Sequence, residues 1–220
     1  MSTAVLFDMD GTLIDTPAGI LRVHREVLAE VGVEQPDEVV NATIGRPLGA
    51  SYALLLEQPE DSADVQRAIE RFRALFTDVV VPNAVELIFP GIPGLLAELR
   101  AQGRGLAVVT SKGQRGAEEL LVAAGLIDEF DAVICHGMAE RGKPHPDLAL
   151  LAAERLDRQA SECVVVGDAI DDMRMAVSAG MPAFGVGYGV ATSDELRAAG
   201  AQVVLESVAE LADALKTVSP

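Results

Sequence analysis

Four short apolar runs recur along this 220-residue chain, bounded by glycine or by acidic side chains. They are rich in valine, isoleucine and alanine and lack polar alternation, which indicates strands covered on both faces. The runs are residues 4–7, 106–109, 132–135 and 163–166. Weaker strand signals occur at residues 183–186 and 203–205. A sheet of such strands needs helices on each of its faces.

Helical patterns separate these runs in the second half of the chain, with apolar residues returning every three or four positions. They cover residues 94–102, 115–124, 146–156 and 208–215. Because strands and helices alternate, we expect an α/β fold with a doubly wound, Rossmann-like parallel sheet. Half of the residues are hydrophobic and only 4% are aromatic, a composition that suits a core of small aliphatic side chains.

The first half of the chain leaves this rhythm after one strand. Helical periodicity without a convincing strand occurs at residues 20–31, 47–56 and 62–80. We therefore expect a catalytic core of residues 1–16 and 84–220, with a helical insertion at residues 17–83. Three prolines mark the return to the core: Pro82, Pro90 and Pro93. Two linkers would cross between the units, and paired linkers can act as a hinge.

The charge of the chain limits its partners. There are 34 acidic against 17 basic residues, a formal net charge of -17. Such a surface repels phosphate backbones and anionic headgroups, so neither nucleic acid nor membrane is an expected partner. An anionic substrate would require local cations. Two carboxylates within the first ten residues argue against a secretory signal, and Cys135 and Cys163 are expected to be buried free thiols. The predicted location is the cytoplasm.

Reactive side chains follow the predicted strands. Because ligands of an open parallel sheet bind beyond the carboxyl ends of its strands, these side chains should share one crevice. The first strand leads into Asp8, Asp10, Gly11 and Thr12, the second into Thr110, Ser111 and Lys112, and the fourth into Asp168, Asp171 and Asp172. Lys143 precedes a predicted helix start.

Converging carboxylates repel one another unless a cation lies among them. A site of oxygen ligands without histidine or cysteine favours magnesium over zinc. We expect Asp8, Asp168 and Asp172 to supply carboxylates and Asp10 to contribute a backbone carbonyl. The cofactor expected is Mg²⁺, which together with Lys143 would balance a phosphoryl dianion.

The ordered motifs resemble those of the haloacid dehalogenase (HAD) superfamily. They are Asp8-x-Asp10-Gly-Thr, Thr110, Lys143 in Gly-Lys-Pro, and Asp168-x-x-x-Asp172. The helical insertion resembles the α-helical cap of the phosphoglycolate-phosphatase-like branch, so the resemblance spans essentially the whole chain. One departure is Ala169, where relatives often carry serine or threonine after the metal-binding aspartate.

This resemblance implies a mechanism. Asp8 would be the nucleophile that forms an aspartyl phosphate, and Asp10 would be the acid/base that serves the leaving group and then water. Thr110 and Lys143 would complete the catalytic set. Phosphate would be bound by Gly11, Thr12, Thr110, Ser111 and Lys143. Substrate contacts from the insertion and its linker are expected at Arg46, Asp15 and Thr16.

Other residues separate branches of the superfamily. Dehalogenases lack the second aspartate of the first motif, so Asp10 disfavours that activity. Sugar-phosphate mutases carry a cap histidine where this chain has Ile20, and His24 is interpreted as an ordinary helix-face histidine. Phosphonate hydrolases use a cap lysine, and residues 17–83 contain none.

The function that the sequence predicts is magnesium-dependent hydrolysis of a small phosphomonoester. Phosphoglycolate, a sugar phosphate, a nucleotide and a phosphate of specialised metabolism all fit. Two alternatives stay open: a sugar-phosphate mutase of the same fold, and a non-catalytic receiver-like domain that carries a phosphorylated aspartate. The oligomeric state is open between monomer and dimer.

Overall fold

A six-stranded parallel sheet forms the centre of the computed structural model, which describes residues 3–217. The strands are β1 Ala4–Phe7, β2 Leu106–Gly113, β3 Ala132–His136, β4 Cys163–Gly167, β5 Ala183–Val186 and β6 Val203–Leu205. Their order is β3-β2-β1-β4-β5-β6, and each neighbouring pair is parallel. The winding direction therefore reverses beside β1, and the predicted doubly wound α/β fold is confirmed.

Helices follow the strands and also fill the predicted insertion. They are α1 Pro17–Glu30, α2 Asp37–Asn41, α3 Leu48–Leu56, α4 Ala63–Val79, α5 Ile92–Ala101, α6 Gln114–Ala123, α7 Asp147–Arg155, α8 Ile170–Ser178, α9 Ser193–Ala198 and α10 Val208–Thr217. Within residues 3–217, no helix combines the length and the apolar character that crossing a membrane requires.

Alternate residues of the strands pack on opposite faces of the sheet, as pleating dictates. Val5 and Phe7 join a hydrophobic cluster with α5, α6, α10 and the insertion. Ala4 and Leu6 join a second cluster with α7, α8 and α9. Both faces of β1 are thus covered, which explains the unbroken apolar run in its sequence.

Strand β2 is longer than the sequence indicated. It continues past Val109 to Gly113, so Thr110, Ser111 and Lys112 lie within the strand and not after it. Its pairing with β3 shifts register between Thr110 and Gly113. The apolar run ends where side chains become polar, but backbone pairing does not require apolar side chains. The sequence pattern therefore underestimated the strand.

The two linkers of the insertion lie side by side. The Asp15 N–H donates to the carbonyl of Leu87 at 2.7 Å, and the Phe89 N–H donates to that of Leu13 at 3.1 Å. Between them, residues 17–83 contain α1 to α4 and a short 3-10 helix, Val81–Asn83. Apolar side chains of these helices belong to the same cluster as one face of the sheet.

Both cysteines are free and buried, as the sequence indicated. Burial, and secondarily a nearby glutamate, raises the pKa of Cys135 and of Cys163 to about 11. Both thiols are therefore uncharged at neutral pH and act as small apolar groups.

Candidate active site

Two neighbouring strands deliver the first carboxylates of the site. Asp8 follows β1 and Asp168 follows β4, and these strands pair with each other. The Asp8 N–H donates to the carbonyl of Val166 at 2.8 Å, which extends the pairing to the last residue before the turn. Asp172 enters from the first turn of α8. The crevice expected at the winding reversal is thus lined by acidic side chains.

Asp8, Asp168 and Asp172 form an acidic cluster, in which one carboxylate oxygen of each lies within 4.8 Å of the others. All three side chains are buried. Burial is the main reason that the pKa of Asp8 lies well above its ordinary value, and the carboxylates of Asp172 and Asp168 raise it further. Burial, followed by the charge of Asp172, raises the pKa of Asp168 to about 7.

These residues fit a divalent cation. Three converging, buried carboxylates offer the oxygen donors that Mg²⁺ prefers. The raised pKa values of Asp8 and Asp168 show that their charged forms are costly without further positive charge. A cation among them would offset that cost.

Lys143 supplies one positive charge to this cluster. Its side chain is 3% exposed, and its Nζ donates to Asp8 Oδ1 at 2.5 Å and to Asp172 Oδ1 at 2.6 Å. Burial acts to lower the pKa of Lys143, but the two carboxylates outweigh it and the pKa is raised. The ammonium is therefore charged, and it bridges two of the three acidic residues.

Asp168 is oriented by the chain on both sides. Thr12 Oγ1 donates to its Oδ1 at 2.7 Å, and the Val190 N–H donates to its Oδ2 at 2.9 Å. Two glycines make this approach possible. A Cβ on Gly11, whose φ is +92°, would lie 2.2 Å from Asp168 Oδ2, and a Cβ on Gly189 would lie 2.2 Å from Asp168 Cβ.

Asp10 lies outside the acidic cluster and has its own partners. Thr16 Oγ1 donates to Asp10 Oδ1 at 2.6 Å, and Lys112 Nζ lies 3.1 Å from Asp10 Oδ2. The carboxylate is thus held from two directions, by the linker and by β2. Its metal contact through the backbone carbonyl stays a prediction.

The expected phosphate-binding residues lie at the same end of the sheet as the acidic cluster. Several of their polar groups, however, already form hydrogen bonds within the protein. Thr110 and Ser111 are buried, and Thr110 Oγ1 accepts a hydrogen bond from the Lys112 N–H at 3.1 Å. The N–H groups of Gly11 and Thr12 donate to backbone carbonyls of the turn. The hydroxyl of Thr12 is engaged by Asp168.

The insertion reaches the site through the loop before α3. A Cβ on Gly45 would lie 3.8 Å from that of Ala169, so this loop passes close to the residue after Asp168. Arg46 follows Gly45 and is exposed. Of the other substrate candidates, Asp15 is exposed while Thr16 is buried against Asp10.

Three contributors were missed by sequence reasoning. Sequence reasoning placed Lys112 at the end of the second strand but gave it no role. The available signal was a lysine two residues after Thr110. The Val190 N–H could not be found from sequence, since any residue can offer an amide. Tyr188 OH donates to the carbonyl of Thr12 at 3.2 Å, and its ring lies 4.7 Å from that of Phe89. A tyrosine just beyond a strand of this sheet was its only sequence signal.

His24 lies in the helical insertion and not in the site. It is 1% exposed, and its Nδ1 lies 3.1 Å from Tyr52 OH. Burial, and secondarily the charge of Lys112, lowers the pKa of His24 to about 4. It is therefore a neutral residue of the interior.

Comparison with known proteins agrees with this geometry. Residues 5–186 match the family model described as haloacid dehalogenase-like hydrolase.

The chain belongs to the haloacid dehalogenase-like hydrolases. This hydrolase is 41% identical over 215 residues to the "Probable phosphatase IndB" of Dickeya dadantii, covering 97% of this chain and 94% of that one. It is 33% identical over 212 residues to a plasmid phosphoglycolate phosphatase of Cupriavidus necator, covering 95% and 91%. The crystal structure of a hydrolase from Pseudomonas syringae superposes with a TM-score of 0.87 at 27% identity, covering 100% of both chains. The family resemblance is confirmed, and the enzyme is a phosphatase.

Proposed function

We propose that this phosphatase hydrolyses a small phosphomonoester through an aspartyl phosphate on Asp8, with Mg²⁺ held in the acidic cluster. One observation carries the proposal. Three buried carboxylates converge, and a buried lysine bridges Asp8 and Asp172. Converging buried carboxylates are costly for stability, and Lys143 supplies only one positive charge, so a further cation would lower that cost. The cation and Lys143 together could then receive an anionic phosphoryl group.

Asp8, Asp168 and Asp172 are the side chains that would hold the metal. A bound Mg²⁺ would supply positive charge against the phosphoryl oxygens. Lys143, which donates to Asp8 and to Asp172, would offset part of the same charge. Hydrogen bonds from Thr12 and Val190 fix the orientation of Asp168. This supports a metal ligand whose carboxylate is already oriented before the metal binds.

In the first step an oxygen of Asp8 attacks phosphorus. The new P–O bond forms while the bond from phosphorus to the substrate oxygen breaks, and the leaving oxygen takes a proton from Asp10. Thr16 and Lys112 support this role, since both hold the Asp10 carboxyl in place.

In the second step a water molecule attacks the phosphorus of the aspartyl phosphate. Asp10 accepts its proton, the P–O bond to Asp8 breaks, and phosphate leaves with Asp8 restored as a carboxylate. One carboxyl group thereby gives and regains a proton in each turnover. Thr110, Ser111 and Lys143 are the groups proposed to bind the phosphoryl oxygens. The contacts of Gly11 and Thr12 better support a part in positioning Asp168.

The two alternative functions have less support. A mutase of this fold would need its histidine where this chain has Ile20. That side chain is apolar, is 6% exposed and has no ionisable group that could transfer a proton. A receiver-like domain needs no acid/base beside its phosphorylated aspartate, whereas Asp10 is held here by two partners.

The substrate proposed is a small molecule, because the insertion loop at Gly45 passes close to Ala169, the residue after Asp168, and would restrict access of a macromolecule to the site. Residues 17–83 would act as the cap, with Arg46 free to contact the substrate. Phosphoglycolate, sugar phosphates, nucleotides and specialised metabolites should be screened for phosphate release. The cytoplasmic location stays a prediction, and the oligomeric state stays open between monomer and dimer.

The experiment that tests the proposal is release of phosphate from p-nitrophenyl phosphate. Activity should require Mg²⁺ and disappear with a chelator. The Asp8→Asn variant should fold and be inactive, because an amide cannot form the acyl phosphate. Full activity of that variant would reject the nucleophile.

A further inference from the structure

Lys112 lies at the contact between the core and the helical insertion. The register shift of β2 between Thr110 and Gly113 re-aims the side chains of this segment. The Lys112 side chain is 15% exposed, and its Nζ lies 3.1 Å from Asp10 Oδ2. One cation of β2 is thus directed at the proposed acid/base.

The other partner of this ammonium comes from the insertion. Lys112 Nζ lies 4.3 Å from the ring centroid of Phe76 on α4, and Phe76 is 5% exposed. The face of an aromatic ring attracts a cation, more strongly where water is excluded. The ammonium is therefore held between a ring of the insertion and a carboxyl group of the core.

The neighbours of Phe76 do not compete for this cation. Phe72 stacks on Phe76 at 5.8 Å, and His24 lies 4.6 Å from Phe72. The low pKa of His24, about 4, keeps that residue neutral at physiological pH. These ring neighbours of Phe76 are therefore aromatic and uncharged.

Helix α4 is also tied to the core at this point. Thr77 Oγ1 donates to Glu119 Oε2 of α6 at 3.0 Å. Because Thr77 is adjacent to Phe76, this hydrogen bond helps to hold the Phe76 segment of α4 against the core. The ring position thus depends on the insertion lying against the core.

We propose that Phe76 is a positioning residue that acts through Lys112 to hold the carboxyl group of Asp10 for proton transfer. The inference rests on the proposed function, in which Asp10 protonates the leaving oxygen. Phe76 reaches Lys112 only when the insertion covers the core. The contact therefore links the position of the insertion over the site to the position of the Asp10 carboxyl group.

The test compares two leaving groups in the Phe76→Leu variant. Phosphoglycolate must release an alkoxide, which needs a proton from Asp10, whereas p-nitrophenolate leaves without one. The ratio kcat/KM covers the steps up to release of the leaving group. We expect kcat/KM for phosphoglycolate to fall roughly 3- to 10-fold, the size of a partly buried cation–π contact. The value for p-nitrophenyl phosphate should stay within about twofold.

The chain offers a matched control. Phe72→Leu makes the same change one turn earlier on α4, at a residue that is equally buried but has no contact with Lys112. It should lower the melting temperature as Phe76→Leu does and leave both kcat/KM values unchanged. Phe76→Tyr keeps the aromatic face and should restore activity. Phe76→Met fills the space without a ring and replaces the leucine variant if that does not fold.

A double-mutant cycle decides whether Lys112 transmits the effect. In a Lys112→Met background, Phe76→Leu should cause no further loss with phosphoglycolate. Additive losses, or equal losses with both substrates, would overturn the proposal. Activity of the Asp8→Asn variant would instead reject the proposed function. If Asp8→Asn is inactive but Phe76→Leu has unchanged kcat/KM values, only the role of Phe76 is rejected.

Discussion

The ammonium of Lys143 lies 2.5 Å from Oδ1 of Asp8, the proposed nucleophile. The same ammonium contacts Asp172 at 2.6 Å, so a single buried cation holds two of the three members of the acidic cluster. This arrangement explains how carboxylates can converge in the protein before any ligand binds. It also makes Lys143 a residue on which both stability and turnover should depend.

Replacing Lys143 by methionine should show this dependence. The variant would leave buried carboxylates without their cation, which destabilises proteins by about 3–5 kcal/mol. It would also remove charge stabilisation at phosphorus, so kcat should fall roughly 100-fold or more. Thermal melting and phosphate release measure both. Lys216→Met removes an exposed lysine that pairs with Asp213 and should change neither; a Lys143→Met variant of normal stability would contradict the account.

Stability should depend on pH when the metal is absent. The pKa of Asp168 is raised from 3.8 to about 7 and that of Asp8 is raised as well, so the folded protein binds more protons than the unfolded chain within this range. Its stability should therefore fall as pH rises from about 4 to about 7. Saturating Mg²⁺, which favours the charged forms, should reduce the fall. Melting temperatures measured across this pH range, with chelator and with Mg²⁺, test the prediction. The same pH dependence in both conditions would count against a metal in the cluster.

Gly189→Ala should damage the metal site from outside it. Its Cβ would overlap Asp168, at 2.2 Å from the Asp168 Cβ, and would displace the carboxylate or the loop that donates to it. We expect a weaker activation constant for Mg²⁺ and at least a roughly tenfold loss of kcat/KM. The control is Gly94→Ala, in an exposed turn of α5 where the added Cβ meets nothing within 4 Å. The Gly94→Ala variant should be fully active and slightly stabilised. If Gly189→Ala and the unmodified enzyme had equal activation constants for Mg²⁺, the role of Gly189 would be rejected.

Asp10→Asn should separate proton transfer from metal binding. Asp10 contacts Thr16 and Lys112 and lies outside the acidic cluster. Turnover of an alkyl phosphomonoester should fall roughly 100-fold or more, while the affinity for Mg²⁺ should change little. Titration of Mg²⁺ against the inactive variant measures the second quantity. A normal turnover rate would remove Asp10 from the mechanism.

Sequence reasoning succeeded where burial dictates residue type. The apolar runs predicted all six strands, and the polar residues that follow them predicted which side chains meet at one edge. The predicted helical patterns omitted α2, α8 and α9. Helices α2 and α9, five and six residues long, are too short to display a period, and α8 begins in the acidic segment that was interpreted as a ligand-binding turn.

Contacts that depend on tertiary geometry could not be predicted. The pairing of Lys112 with Asp10 occurs in the segment of β2 where the register shifts, and the contact with Phe76 requires α4 to lie over that strand. Neither leaves a periodic signal. The amide of Val190 offers no residue type to recognise, since its contribution comes from the backbone.

The most direct test of the central claim is detection of phosphate bound covalently to Asp8. Enzyme mixed with p-nitrophenyl phosphate and Mg²⁺, quenched in acid and digested, should carry one phosphoryl group on the peptide that contains Asp8. The adduct should accumulate in Asp10→Asn, in which p-nitrophenolate still leaves but hydrolysis of the acyl phosphate is slow. Asp8→Asn should form no adduct and release no phosphate. Phosphate release by Asp8→Asn at the normal rate, or turnover without any adduct in the Asp10→Asn variant, would contradict the mechanism.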